Sequence, residues 1–288
     1  VVDSGSSGGF TLTVSSASGV FLPGQKILIH QTRGSGAGLW ELNSVQSYAL
    51  GNITSSAPLA NTYASSGVNR AQVLVVPQYT SVTVDAGVTV SAKAWSGAVG
   101  GILAFLANGT VTVTGAISGT GAGFAGGAPS SSPEQNTTGK RGEGTAGNDQ
   151  TQSLSNQGNG GGAGAGDGDD GGGGSGGGNG LAGTAGASAG APSAGVAVGA
   201  ADLSTIDLGG GGGGGGTGNS GGGTNAGAGG RGGGIVLIVA ATTTVTGVVS
   251  ANGNVGGTGG NSNSGGGGGG AGGSILLRGQ ALTFGTSL

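Results

Sequence analysis

Apolar and small polar residues alternate with a period of two through the first 118 residues: FTLTVSS at 10–16, KILIHQT at 26–32, AQVLVVPQYTSVTVDAGVTVSA at 71–92 and ILAFLANGTVTVTGAIS at 102–118. That period puts successive side chains on opposite faces of a strand, and Val, Ile and Thr are the residues a half-buried pleated surface packs best. In KILIHQT, Ile27 and Ile29 share one face while Lys26, Leu28 and His30 share the other. Turn residues interrupt every run, at Pro23–Gly24, Gly51–Asn52, Asp85–Gly87 and Asn108–Gly109. Strands of about five residues are therefore expected. Pro77 lacks a ladder donor and divides what would be one long strand.

Beyond residue 158 the pattern changes. Of 79 glycines, 52 fall between Gly158 and Ser274, with an unbroken run of eight at 209–216, yet aliphatic strands persist, most clearly IVLIV at 235–239. APSAGVAVGAADLSTIDL at 191–208 reads as a weaker strand pair. Three segments repeat one grammar: GGILAFLANGTVTVTGAISGTGAGFAGG at 100–127, GGIVLIVAATTTVTGVVSANGNVGGTGG at 233–260 and GGSILLRGQALTFGTSL at 272–288. Each has two glycines, an aliphatic strand, a short turn and a Thr-containing strand. Short strands repeated in one chain direction predict an all-β parallel β-helix, a solenoid with one coil per unit. An antiparallel sandwich would give similar single-strand signals. The expected division is a β-solenoid part at 1–127, a Gly-rich region with strand islands at 128–234, and C-terminal coils interrupted by a glycine tract at 235–288.

Ordering glycine costs more backbone entropy than ordering any other residue. The tracts at 158–180, 209–234 and 256–273 are thus either flexible insertions or segments with a collective reward for order. Polyglycine II-like extended helices offer that reward. They repeat every three residues and point every N–H and C=O sideways, and without Cβ atoms they pack into a Gly-rich slab bonded through the backbone.

Composition removes several function classes. Six prolines and no strict glycine triplet exclude collagen. Eight scattered Lys and Arg against eleven Asp and Glu give no electrostatic footprint for nucleic acid. No apolar run approaches the roughly 20 residues of a spanning helix, so no membrane insertion is expected, and with no Cys there is neither a disulfide nor a thiolate metal site. His30 is the single histidine, no GxSxG elbow occurs, and the acids Asp3, Glu41 and Asp85 are isolated. No catalytic or cofactor-binding residues are assigned and an enzyme is not expected. The one acidic cluster, GDGDDGG, offers Asp167, Asp169 and Asp170 as candidate Ca²⁺ ligands, since alternate carboxylates suit a hard cation, although a solvated turn explains the same residues. Trp40, Trp95, Tyr48, Tyr63 and Tyr79 precede the glycine block, where aromatic rings serve a core or stack on sugars. Three N-x-[ST] sequons, at Asn52, Asn108 and Asn136, would matter only in a glycosylating host.

The order GQKILIHQTRG, AGLWELNSV, ITSSAPLANTY, AQVLVVPQYTSVTV and AWSGAVGGILAFLANGTVTVTGAIS, followed by polyglycine and GGGGAGGSILLR, resembles large Gly-rich bacterial surface proteins of the adventurous-gliding-motility-like and pectate-lyase-like β-helix kind. The resemblance implies secretion and β-helix architecture more than an activity. The absence of Met, including at position 1, also fits a processed, exported chain or a fragment. The third repeat is partial, and solenoid ends are sheet edges, so Ile275, Leu276, Leu277, Leu282, Phe284 and Leu288 are the candidate self-association residues. The expected role is a structural, extracellular, self-associating subunit of a surface fibre or matrix. The alternative is an adhesin or recognition module for surface glycans or ice, or one resembling a phage-tail tip.

Overall fold

The computed structural model describes residues 1–131, 136–168, 170–187, 191–219, 225–260 and 263–285, and among them every regular element is a strand. The first seven are β1 (Val2–Gly5), β2 (Thr11–Val14), β3 (Lys26–Arg33), β4 (Trp40–Ala49), β5 (Asn52–Ser55), β6 (Tyr63–Ala64) and β7 (Arg70–Val75). They pair in the cycle β1–β2–β5–β4–β3–β7–β1, antiparallel throughout, with β6 beside β1. This closed six-stranded antiparallel barrel corrects the expected parallel β-helix. The local reason is visible between β4 and β5, where Leu50 (φ 50) and Gly51 (φ 77) form a two-residue turn at positive φ. Such a turn reverses the chain onto its neighbour, whereas a solenoid coil must carry it forward to a parallel rung.

Alternation fills the barrel. Val2, Leu12, Val14, Ile27, Ile29, Val45, Ile53, Leu59, Tyr63 and Ala71 form its interior. The outer face of β3 is buried too, because Leu28 joins a second core with Val76, Trp95, Ile102, Phe124, Ile206, Leu208, Ile235, Leu237 and Leu276. That second core fastens the barrel to the remainder of the chain.

The remaining strands are β8 (Gln78–Tyr79), β9 (Val82–Val84), β10 (Thr89–Ser91), β11 (Ile102–Val113), β12 (Ala116–Ser118), β13 (Gly166–Asp167), β14 (Asp170–Gly171), β15 (Ile235–Val245), β16 (Val248–Ser250), β17 (Ile275–Arg278) and β18 (Ala281–Phe284). The repeat units lie parallel and in register: Ile102 opposes Ile235, Val236 opposes Ile275 and Val245 opposes Phe284. A smaller parallel sheet, β10–β12–β16, faces this one across a third core of Val84, Phe105, Val111, Val113, Ile117, Val236, Ile238 and Val245. The chain does not close coils between these rungs. It leaves β12 at Ser118 and returns at Ile235, and leaves β16 at Ser250 and returns at Ile275, and both excursions run through the glycine tracts. The segment 191–208, read as a strand pair, contains no strand.

Within those excursions the backbone itself is the packing surface. Gly209, Gly212 and Gly215 donate to the carbonyls of Gly233, Gly230 and Gly227 at 2.8, 2.9 and 2.8 Å. Gly210, Gly213 and Gly216 donate to Gly178, Ser175 and Gly172, while Gly211 and Gly214 donate to Glu143 and Lys140. The carbonyls of 209–216 accept, with the same period of three, from Phe124, Gly127 and Ser130, from Ala271, Gly268 and Gly265, and from Gly161 and Gly164. The central tract is therefore a threefold extended segment bonded to six neighbours, with every N–H and C=O satisfied outside itself. None of these eight glycines has positive φ, so conformation is not what demands glycine. Contact is: a Cβ built at each would fall on a neighbouring carbonyl oxygen, that of Gly268 for Gly212 and that of Gly162 for Gly213.

Candidate functional site

The residues expected to carry chemistry do not converge. Asp167 and Asp170 pair across the short β13–β14 turn, where Gly168 has φ +48; Asp170 is exposed, and Asp169 and the Asp167 side chain lie outside the described residues. Among the described residues no group of three His, Cys, Asp or Glu could hold a metal ion. Of the self-association candidates, Leu276 lies in the second core and Ile275 and Leu277 pack against the third. Leu282 and Phe284 are exposed, and Leu288 lies outside the described residues. β17 and β18 pair only with β15, so among the described residues the outer edge of that rung is open.

His30 is fully buried on the outer face of β3. Its Nε2 lies 2.8 Å from the Ile206 carbonyl, an acceptor only, so Nε2 carries the proton and Nδ1 accepts from Thr32 Oγ1 at 2.9 Å. Thr32 Oγ1 in turn accepts from Gln72 Nε2 at 2.9 Å. Burial, opposed in part by the Ile206 bond, lowers the imidazole from 6.5 to about 4 and keeps it neutral. Its role is to tie β3 to the segment that enters the central tract.

A second tie was missed in the sequence because its acid stands alone between glycines in RGEGT. Glu143 Oε1 accepts from Arg33 Nη1 at 2.5 Å and from Trp95 Nε1 at 2.9 Å, and Oε2 accepts from the Ala125 N–H at 3.1 Å. Arg33 Nε donates to the Val68 carbonyl at 2.9 Å, while Nη2 is buried without a partner. This ion pair joins barrel to lattice and is enclosed, with Arg33 and Glu143 side chains 0% and 4% exposed.

A cleft opens beside these ties, with a volume of about 490 Å³. Its walls are the β3–β4 connection at 34–37, Val68, Thr145 and Ala146 from the lattice, and Val198, Gly199, Thr205 and Asp207. Gly34, Gly36, Gly38 and Gly199 all have positive φ, and these left-handed turns bring the backbone around the cavity. The Asp207 carboxylate sits against Gly38, where a Cβ would strike Oδ2. Burial raises this carboxyl from 3.8 to about 6. Sequence reading passed over Asp207 as part of a strand island; the signal was an acid held between two core aliphatics, Ile206 and Leu208.

At the far end of the lattice the segments turn back together. Thr217 bridges both Thr137 and Ser264, Ser130 Oγ lies 2.9 Å from Thr217 Oγ1, and Gly218 donates to the Asn263 carbonyl at 2.8 Å. Asn219 donates to the Gly168 carbonyl at 2.7 Å, which brings the β13–β14 turn to the same place. The described residues there include Ser130, Ser131, Asn136, Thr137, Thr138, Thr217, Asn219, Asn225, Asn263 and Ser264, with no Lys or Arg among them.

No family model and no curated protein matches the chain. Among solved structures it is similar to the tailspike protein gp49 from Pseudomonas phage LKA1, at 16% identity over 41% of this chain and a TM-score of 0.24. The matched part spans 20% of the tailspike chain, and a likeness of that size defines neither the fold nor the function.

Proposed function

We propose that the chain is a non-catalytic structural module of an extracellular surface that holds one polar end rigidly in place to recognise a glycan. The observation that carries this reading is the convergence of the lattice connections at one end, away from the barrel. Backbone bonding fixes where each segment emerges, and the described residues Asn136, Asn219 and Asn225 at these points are exposed, the arrangement by which rigid scaffolds position binding loops. Asn, Ser, Thr and Asp supply the donors and acceptors that sugar hydroxyls require. The test is a glycan array with the full chain and with an Asn219→Ala/Asn225→Ala variant. The reading expects a small set of bound glycans whose signal the variant loses without loss of thermal stability; an empty array overturns it.

A second reading, self-association into a fibre, is favoured by the open edge of β17 and β18 and by Leu282 (41% exposed) and Phe284 (43% exposed) beside it. Sedimentation across concentrations separates the two readings: assembly that Leu282→Lys suppresses supports the fibre, and monodisperse monomers reject it.

A further inference from the structure

The cleft between barrel and lattice contains a carboxylate to which no described residue donates a hydrogen bond. Asp207 is 2% exposed, and its main chain is held by one side chain: its N–H donates to Ser274 Oγ at 2.9 Å, and that hydroxyl donates to the Asp207 carbonyl at 3.0 Å. Ile206 and Leu208 on either side are fully buried, so the carboxyl is anchored in the cleft wall. Among the described residues nothing donates a hydrogen bond to it, in contrast to Glu143, whose two oxygens take three donors. A largely buried carboxylate without a protein donor is costly, and burial moves its pKa upward. Such uncompensated groups in clefts mark sites for an external partner.

We propose that this cleft binds a small organic primary ammonium of amino-sugar size, with Asp207 as its counter-ion. The volume of about 490 Å³ is that of a small-molecule site. A single carboxylate is a poor cage for a divalent cation, which takes six or more oxygens. Among the described residues no Lys or Arg lines the cleft to attract an anion, and no aromatic ring lines it to stack on a neutral sugar face. An ammonium supplies the missing charge and three donors, and Ser35, Thr145 and Thr205 bring hydroxyls to the same walls. This site is separate from the polar end of the lattice, and the two proposals stand or fall independently.

Calorimetric titration of the full chain at pH 7 with glucosamine, N-acetylglucosamine and glucose tests it, because the three share a ring and differ in charge. Glucosamine is expected to bind at least tenfold more tightly than the other two, and Asp207→Asn to weaken it at least tenfold. Ser35→Trp, at an exposed position on the cleft, is expected to abolish binding by filling the mouth, and it decides the matter if Asp207→Asn does not fold. Absent glucosamine binding, equal affinity for all three sugars, or full binding by Ser35→Trp would overturn the assignment.

Discussion

The barrel and the glycine lattice meet along one buried seam, yet they are held together by opposite means. In the barrel, side chains such as Ile27, Ile29 and Ile53 fill the interior, and the backbone bonds only to adjacent strands. In the lattice there is almost no side chain to bury. The tract 209–216 bonds through its backbone to six neighbours, and what would be a core is a set of carbonyl oxygens in contact with Cα atoms. A fold can therefore exchange apolar burial for backbone density, and the exchange reverses which substitutions are tolerated. Removing a methyl group should be the ordinary injury to the barrel, and adding one the severe injury to the lattice.

The largest expected effect tests that reversal directly. Gly212→Ala places a Cβ against the Gly268 carbonyl, which is itself bonded to Gly230 and cannot retreat without breaking the lattice. A cost above about 4 kcal/mol is expected, in the range where single substitutions unfold a domain. Ile29→Val, which removes one methylene from a fully buried barrel position, should cost only about 0.5–1.5 kcal/mol. Urea unfolding of both variants measures the difference. A Gly212→Ala protein as stable as Ile29→Val would end the claim that close packing, rather than conformational freedom, fixes these glycines.

The seam gives the next effect, because each side contributes one buried titratable group. The unfolded chain protonates His30 near 6.5 and the folded chain only near 4, so acidification through that window favours the unfolded state. At about 1.4 kcal/mol per pKa unit this loss is about 3 kcal/mol. Asp207 runs the other way: the folded state takes its proton near 6 and the unfolded near 3.8, so acidification through that window adds about 3 kcal/mol. The two nearly cancel between pH 6.5 and 4. Asp207→Asn should uncover the His30 loss, and His30→Asn the Asp207 gain, as opposite slopes of unfolding free energy against pH. Parallel slopes for the two variants would show that the seam does not hold both groups as described.

How far the sequence reached follows the same divide. Period-two alternation located most strands, and the faces assigned to Ile27, Ile29 and Leu28 are those observed, because local alternation alone decides them. Closure into a barrel was not legible. It depends on the Leu50–Gly51 reversal, one residue before the Gly51–Asn52 turn read from the sequence and of a handedness that reading did not supply, and on the pairing of β1 with β7, 69 residues apart at Val2 and Ala71. The repeat was legible and its parallel register followed it, but the coil it implied was not built, since the chain returns through the lattice. Glu143 and Asp207 escaped notice because neither belongs to a motif. Their environments are assembled from Arg33, Trp95 and Ala125 in one case and from Gly38 and Ser274 in the other, contacts that no spacing encodes.

The smallest effect is the sharpest control, because it uses two adjacent glycines of one tract. A Cβ at Gly268 would meet the Ser175 carbonyl, whereas at Gly269 the nearest atom is the Asn254 carbonyl oxygen at 3.9 Å, an ordinary contact. Gly269 is exposed, and its φ is negative like that of its neighbour. Alanine there keeps the backbone it finds and restricts only the unfolded chain, which should stabilise the protein by about 0.4–1 kcal/mol. Gly268→Ala, one residue away, should be destabilising by several times that amount. If glycine were required throughout the tract for flexibility, both substitutions would harm equally. A rise in unfolding midpoint for Gly269→Ala beside a fall for Gly268→Ala would show that the lattice demands glycine position by position, only where another strand's carbonyl occupies the place of a methyl group.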